Sequence, residues 1–350
     1  MTVTSLGLPT IQRPAAGMPT TGPLVDTFGR IAKDLRVSLT DRCNLRCTYC
    51  MPAEGLDWLP GEQLLRPDEL IRLLRIAVTR LGVTNVRFTG GEPLVVRHLE
   101  EVVAATAALR PRPEMAMTTN GLGLARRAEA LKAAGLDRVN VSLDTVDAAH
   151  FARITRRDRL RDVLAGLAAA KAAGLTPVKV NAVLDPDTGL DDAVELLRFC
   201  LAHGYQLRII EQMPLDAEHQ WQRGRSLEAA DILAALRRHF TLVPDAEPRG
   251  SAPAQLWRVD GGTATVGVIA SVSEAFCAAC DRTRLTADGQ VRNCLFARQE
   301  SDLRRLLRSG ADDDAIEQAW RAAMWTKAAG HGINDPDFEQ PDRPMSAIGG

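Results

Sequence analysis

Three cysteines in the run Cys43-Asn44-Leu45-Arg46-Cys47-Thr48-Tyr49-Cys50 are close enough in sequence to serve one metal centre. Thiolates are soft donors that select zinc or iron–sulfur clusters. Structural zinc wants four ligands, and His98, the first histidine after Cys50, lies beyond a stretch that reads as loop, helix and strand. Clusters that only carry electrons are held by four cysteines, so three thiolates on a four-iron cluster leave one iron open. An open iron is a coordination site for a small molecule, and S-adenosylmethionine suits it.

A second trio, Cys277-Ala278-Ala279-Cys280 and then Cys294 after a thirteen-residue gap, repeats the pattern. As zinc sites, both trios would need a donor from elsewhere. Two clusters, each with an open iron, fit the pair of trios better than two zinc sites do. Cys200 is left over in the apolar run Ala193 to Leu201 and reads as a buried inert thiol.

The elements that must position these groups alternate along the chain. Short β-rich runs occur at Leu35–Leu39, Asn85–Phe88, Glu114–Met117, Arg138–Leu143, Val178–Leu184 and Leu207–Ile210. Segments of helical periodicity separate them, such as 68–78, begun by Pro67 and closed near Gly82. The repetition predicts a parallel sheet, either open and doubly wound or a partial (β/α) barrel. In both, active-site groups gather at the carboxyl ends of the strands. The unusual residues fall there: Thr40 to Cys43 after the first strand, Gly90-Gly91-Glu92-Pro93 after the second, Thr118 to Gly121 after the third. Ser142 to Asp144 end the fourth, Lys179 and Asn181 lie on the fifth, and Glu211 to Pro214 end the sixth. Singly, each reads as a turn or a strand hydroxyl. Together, around a cysteine trio, they read as a site.

The rhythm fades over residues 205 to 260, where Ser226 to Phe240 reads as a helix and Pro244 to Pro253 as a loop. Strands at Ala264–Ile269 and Leu285–Arg292 follow, the latter turning at Asp288-Gly289 as a hairpin that brings Cys294 back toward Cys277 and Cys280. Helices are expected over Asp302–Ser309 and Asp313–Lys327. The expected organisation is a flexible N-terminal tail (1–28), a core (29–250) and a C-terminal α+β segment (251–350). The tail is rich in Thr, Pro and Gly without a sustained apolar run, so it reads as neither signal nor membrane span. The 350 residues carry 43 basic and 44 acidic side chains, a formal net charge of -1. No global field attracts nucleic acid or an acidic membrane, so a polyanion needs a local cluster of cations. Unpaired cysteine trios point to a reducing compartment, the cytoplasm.

These motifs make the chain resemble the GTP 3′,8-cyclase family of molybdenum cofactor biosynthesis, within the radical S-adenosylmethionine superfamily. The first trio with Tyr49 and Gly90-Gly91-Glu92-Pro93 carries the superfamily likeness. The second trio with Asp281-Arg282-Thr283-Arg284 and the terminal Gly349-Gly350 carries the family likeness. The resemblance covers about Phe28 to the last residue. It implies an incomplete (β/α)6 TIM-type barrel, with a C-terminal segment bearing the second cluster.

The resemblance also implies roles. Cys43, Cys47 and Cys50 would hold the 4Fe-4S cluster that chelates S-adenosylmethionine, with Tyr49, Gly91, Ser142 and Met213 as its contacts. Cys277, Cys280 and Cys294 would hold a second cluster facing guanine. Arg36, Arg87, Thr118, Lys179, Arg282, Thr283 and Arg284 would surround GTP, with Arg282 and Arg284 counted as catalytic and set on one face by strand alternation. Hydrogen would leave ribose C3′ to a 5′-deoxyadenosyl radical, and C3′ would attack guanine C8, giving (8S)-3′,8-cyclo-7,8-dihydroguanosine 5′-triphosphate. Implied partners are a one-electron reductant such as flavodoxin or ferredoxin and the downstream cyclic pyranopterin monophosphate synthase, and a homodimer is allowed. The rival classes are a peptide-modifying enzyme of the same superfamily, a two-cluster electron carrier, and a zinc-dependent interaction or nucleic-acid module. The first would not need Arg282, Arg284 and the Gly-Gly end, the second would not consume S-adenosylmethionine, and the third would be colourless.

Overall fold

The structure, a computed structural model, describes residues 17–349. Six strands, β1 (Asp34–Ser38), β2 (Asn85–Thr89), β3 (Glu114–Thr119), β4 (Arg138–Ser142), β5 (Lys179–Val183) and β6 (Gln206–Ile210), pair in parallel in chain order. The helices between them are α1 (Pro67–Thr79), α2 (Leu99–Ala107), α3 (Leu124–Ala133), α4 (Ala148–Thr155), α5 (Leu160–Ala172) and α6 (Gly189–His203).

Strand alternation divides the sheet into two unlike faces. Leu35 and Val37, Val86 and Phe88, Met115 and Met117, Val139 and Val141, and Leu207 and Ile209 are buried in the core that the helices cover. The intervening positions carry Arg36, Arg87, Thr118, Arg138, Asn140, Lys179 and Arg208. A parallel sheet covered on both sides ordinarily reads as a continuous apolar run; here only the outer face does. The inner face is a polar wall, as in a barrel whose interior is a site.

The chain continues through α7 (Ala229–Arg237), β7 (Leu242–Pro244), β8 (Gln255–Val259), β9 (Thr265–Ile269), β10 (Arg282–Leu285), β11 (Gln290–Arg292) and β12 (Ser301–Asp302). It ends in α8 (Leu303–Arg308), α9 (Asp313–Trp325) and α10 (Met345–Ile348). All the strands join one twelve-stranded sheet, in the order β12-β11-β10-β1-β2-β3-β4-β5-β6-β9-β8-β7. β9 runs parallel to β6 and β10 parallel to β1, while antiparallel pairs finish both ends. The barrel is therefore incomplete, as expected, but strands on both sides of residue 250 share its hydrogen-bonded wall instead of forming a separate segment. Asp288-Gly289 turns the expected hairpin between β10 and β11; Gly289 has φ +77, in the left-handed region that glycine tolerates. Among the described residues no helix is long and apolar enough to cross a membrane.

The expectation of a free tail to residue 28 fails for the described part. Leu24 is fully buried, its N–H donates to Leu81 O at 2.9 Å, and Arg321 on α9 donates to Gly22 O at 2.7 Å. Composition misled because Pro and Gly here shape a docked loop, with one apolar side chain as its anchor. Residues 1–16 lie outside the described residues. Leu24→Ala is expected to cost about 2–5 kcal/mol as a core truncation, read as a lowered denaturant midpoint; a change within ~0.5 kcal/mol, as on a free surface, would restore the tail reading.

Candidate active site

The carboxyl ends of the parallel strands open on a cavity of about 340 Å3, and both cysteine trios line it. Cys43, Cys47 and Cys50 sit on the loop after β1, and all are free thiols. Burial pushes the Cys47 thiol well up, and Asp144, Cys50 and Cys43 push it further. Burial, followed by Cys43, raises Cys50 to about 12. Such mutual pressure means that the three sulfurs converge. Among the described residues, however, no three His, Cys, Asp or Glu side chains are drawn tightly enough for a single metal ion. Three soft thiol donors on one cavity suit an iron–sulfur cluster.

The cluster loop is fixed by backbone, which explains the two glycines of Gly90-Gly91-Glu92-Pro93. Gly91 N–H donates to Thr40 O at 2.7 Å, and Glu92 N–H to Arg42 O at 2.8 Å. A Cβ at Gly91 would lie 2.2 Å from Arg42 O and 2.4 Å from Asp41 O. Gly91 also lines the cavity, and its missing side chain lets one loop lie directly against the other. Glu92, fully buried, accepts from Leu94 N (2.9 Å), Thr119 Oγ1 (2.7 Å) and Asn120 N (2.6 Å). Burial outweighs these donors and lifts its carboxyl to about 7. Glu92 thus ties the loops after β2 and β3, and Asn120 Nδ2 passes the linkage on to Asn44 Oδ1 at 2.7 Å.

Tyr49, Gly91, Ser142 and Met213 line the same cavity. Tyr49 OH donates to Asp144 Oδ2 at 2.9 Å. Burial raises Asp144 to about 6 despite that bond and one from Val183 N–H. Glu211, at the end of β6, accepts from Ala229 N and Val272 N, both at 2.8 Å, and from Ser273 N at 2.9 Å, locking α7 and the loop after β9 to the rim.

The same cavity has a cationic wall. Arg284, Arg36 and Arg87 occupy one row on β10, β1 and β2, with Arg282 below Arg284. Burial lowers Arg36 well below its ordinary value, and Arg87 and Arg284 lower it further. Burial, with Arg282, brings Arg284 down to about 10. Burial would raise Asp34, but Arg87, Arg36, Arg282 and Arg284 prevail and hold its carboxyl below the usual range. Nε of Arg36, Arg87 and Arg282 are buried without a hydrogen-bond partner. Unpaired buried donors on like-charged neighbours call for an anion.

Two sequence expectations need adjustment. Thr283 does not face the cavity: β-alternation turns it outward, where it is fully buried and its Oγ1 accepts from Trp320 Nε1 at 3.1 Å. Lys179 is the first residue of β5 and does not line the cavity; burial, followed by Arg208, Arg138 and Arg87, lowers it to about 8. Arg36, Arg87, Thr118, Arg282 and Arg284 all line the cavity.

Sequence reasoning missed Arg208 and Arg138. Arg208 lines the cavity and donates to Asn181 Oδ1 (3.0 Å) and Asn140 Oδ1 (2.8 Å); Asn140 Nδ2 in turn reaches Thr118 Oγ1 at 3.3 Å. Inward parity on β4 and β6 was the signal that could have found both. The second trio is served from both sides of the wall: Lys327 Nζ, outside it, lies 3.3 Å from Cys280 Sγ, and Arg282 Nη1, on the cavity side, 3.6 Å from it. The carboxyl terminus enters the mouth, where Ser38 Oγ donates to Ile348 O at 2.9 Å and Arg284 Nη1 donates to Gly349 O. Gly349 has φ +84, and a Cβ there would lie 2.2 Å from Ser38 Oγ; Gly350 lies outside the described residues.

Comparison with known proteins agrees with this geometry. Residues 37–200 match the Radical SAM superfamily, and residues 205–333 match Molybdenum Cofactor Synthesis C. A GTP 3′,8-cyclase of Mycobacterium sp. (strain KMS) is 93% identical over 350 residues, covering 100% of both chains. Another from Mycolicibacterium smegmatis is 76% identical over 361 residues, again covering 100% of both. In fold, the crystal structure of Streptococcus suis SuiB bound to S-adenosylmethionine aligns with TM-score 0.55 at 15% identity, over 83% of this chain and 68% of that one.

Gly91→Ala is expected to force apart the loops after β1 and β2, costing at least about 1–3 kcal/mol as overpacking and lowering iron bound by the first trio. Gly61→Ala, with nothing within 4 Å of the added carbon, is the control. Equal iron content and equal unfolding midpoints in the two variants would remove the loop-pairing role.

Proposed function

From the premise that the chain belongs to the GTP 3′,8-cyclase family of radical S-adenosylmethionine enzymes, we propose that the cationic inner wall holds the GTP triphosphate between the two cysteine trios. The activity is conversion of GTP to (8S)-3′,8-cyclo-7,8-dihydroguanosine 5′-triphosphate, the first step of molybdenum cofactor biosynthesis, with S-adenosylmethionine and an iron–sulfur cluster.

Cys43, Cys47 and Cys50 would hold the first 4Fe-4S cluster, and Cys277, Cys280 and Cys294 a second; the convergence of each trio on the same cavity supports both. The first, with S-adenosylmethionine, would supply hydrogen-atom abstraction at ribose C3′; C3′ would then bond to guanine C8, and one electron from a reductant and one proton would complete the 7,8-dihydro product. The chain's own residues do the positioning. Tyr49, Gly91, Ser142 and Met213 shape the S-adenosylmethionine pocket: Ser142 offers a hydroxyl, Met213 a soft apolar surface. Arg36, Arg87, Arg282 and Arg284 present guanidiniums to the nucleotide, with Thr118 and Arg208 at the same wall. Lys179 adds its charge. The observation that carries the reading is the set of buried, unpartnered Nε donors on Arg36, Arg87 and Arg282. A buried triphosphate would complete their hydrogen bonding and offset their mutual repulsion. The Gly349 end, bonded to Arg284 and packed at Ser38, limits the space for water beside the reacting groups.

A one-electron reductant such as flavodoxin or ferredoxin, delivery of product to cyclic pyranopterin monophosphate synthase, a cytoplasmic setting and a homodimer complete the proposal. Free cysteines that must bind iron support the reducing compartment.

The test of the reaction uses anaerobically reconstituted, reduced protein with S-adenosylmethionine and GTP deuterated at C3′. Deuterium in 5′-deoxyadenosine together with a new nucleotide peak is expected; cleavage without deuterium transfer would remove C3′ as the target. Lys179 gives a second test. Its pKa of about 8 in the free protein should rise beside a triphosphate, so the complex holds more protons than the free protein above about pH 8. GTP binding should then take up protons and weaken as pH rises through that range, by at most about tenfold per pH unit. Calorimetry in buffers of different ionisation enthalpy reads the uptake, and none at pH 9 would place Lys179 away from the triphosphate.

A further inference from the structure

Lys327, just beyond α9, is 4% exposed and absent from the cavity wall, yet its ammonium points at the second trio. Nζ lies 2.9 Å from Arg282 O, 3.5 Å from Cys280 O and 3.3 Å from Cys280 Sγ. Among the described residues no carboxylate pairs with it. A buried ammonium without an opposite charge is costly, and of these acceptors only the sulfur can carry a full negative charge. Burial pushes the Cys280 thiol up, yet Lys327 and Arg282 outweigh it and hold it below its ordinary value; Cys277, in the same trio, is raised by burial, then by Cys294 and Cys280.

The rest of the helix end serves the same trio. Asn293, next to Cys294, donates to Ala323 O at 2.8 Å and reaches Thr326 Oγ1 at 3.1 Å, while Trp320 donates to Thr283 between Arg282 and Arg284. Both arms of the trio therefore hang on the last turns of α9. Arg282 reaches Cys280 from the cavity side, where substrate can engage it; Lys327 approaches through the protein, where substrate cannot.

We propose that Lys327 is a positioning residue that sets the reduction potential of the cluster held by Cys277, Cys280 and Cys294. The inference rests on the reading that this trio binds a 4Fe-4S cluster. Hydrogen bonds and positive charge at a ligating sulfur stabilise the reduced, more negative cluster and raise its potential. Because the ammonium is buried and out of the substrate's reach, its contribution persists whether or not nucleotide is bound.

The test uses the full chain carrying Cys43→Ala, Cys47→Ala and Cys50→Ala, so that only the second cluster can form. Iron and sulfide per chain are measured first, and the midpoint is then followed by electron paramagnetic resonance in a redox titration. Lys327→Met and Lys327→Gln should retain iron and titrate at more negative potential. A roughly tenfold lower ratio of reduced to oxidised cluster at fixed potential corresponds to about 59 mV for one electron. Lys327→Arg, which keeps the charge, should stay close to the parent. Equal midpoints in parent and Lys327→Met would overturn the proposal and leave Lys327 as a brace for β10. Should Lys327→Met fail to hold iron, the Gln and Arg variants decide, and equal midpoints between them overturn it. A parent that binds no iron removes the cluster at this trio and the proposal with it, an outcome distinct from iron bound at an unchanged potential.

Discussion

Guanidiniums set at one height on neighbouring parallel strands repel one another, and burial removes the water that would screen them. Arg284, Arg36 and Arg87 stand in that arrangement, with Asp34 as the acid among them and Arg138, Lys179 and Arg208 extending the cationic face. In a chain of net charge -1 this concentration is local and costly, and the hydrophobic core must sustain it. The helices are packed on the outer face by side chains such as Val37, Phe88 and Met117, which are fully buried. The same alternation that makes the outer face apolar forces the arginines inward. Core and site are consequences of one strand period.

The cluster side of the cavity is organised differently, by backbone and not by charge. The loops after β1 and β2 approach so closely at Gly91 that no side chain fits, and Glu92 fastens them to the loop after β3 with buried donors. Three consecutive strand ends thus behave as one unit beneath the first trio. The second trio is carried by the β10–β11 hairpin and the end of α9, and it meets the first because β10 pairs with β1. That pairing brings the two trios to one cavity, whose lining also holds the arginine row.

Much of this was legible in the sequence because the signals are local. Cysteine spacing, the Gly-Gly-Glu-Pro turn and the Asp-Gly hairpin each act within a few residues, and strand–helix alternation fixed where the site residues would collect. What was not legible depends on pairing or depth. Arg138 and Arg208 read as ordinary strand charges until the neighbouring strands place them inward. Thr283 followed its flanking arginines into the expected site although strand parity turns it toward Trp320. Leu24 was hidden by its Pro and Gly neighbours, and Lys327 by distance along the chain from Cys280. That β9 would lie beside β6, and β10 beside β1, is a closure of the sheet that no single segment encodes.

The most direct measurement compares the binding of GTP, GMP and guanosine to the anaerobic, iron-reconstituted protein, in the parent and in Arg36→Met. If the inner wall is the triphosphate site, the parent should favour GTP strongly over guanosine, and most of that preference should disappear in the variant while guanosine binds alike to both. A GTP-to-guanosine preference equal in parent and variant would contradict the account and move the triphosphate away from the arginine row.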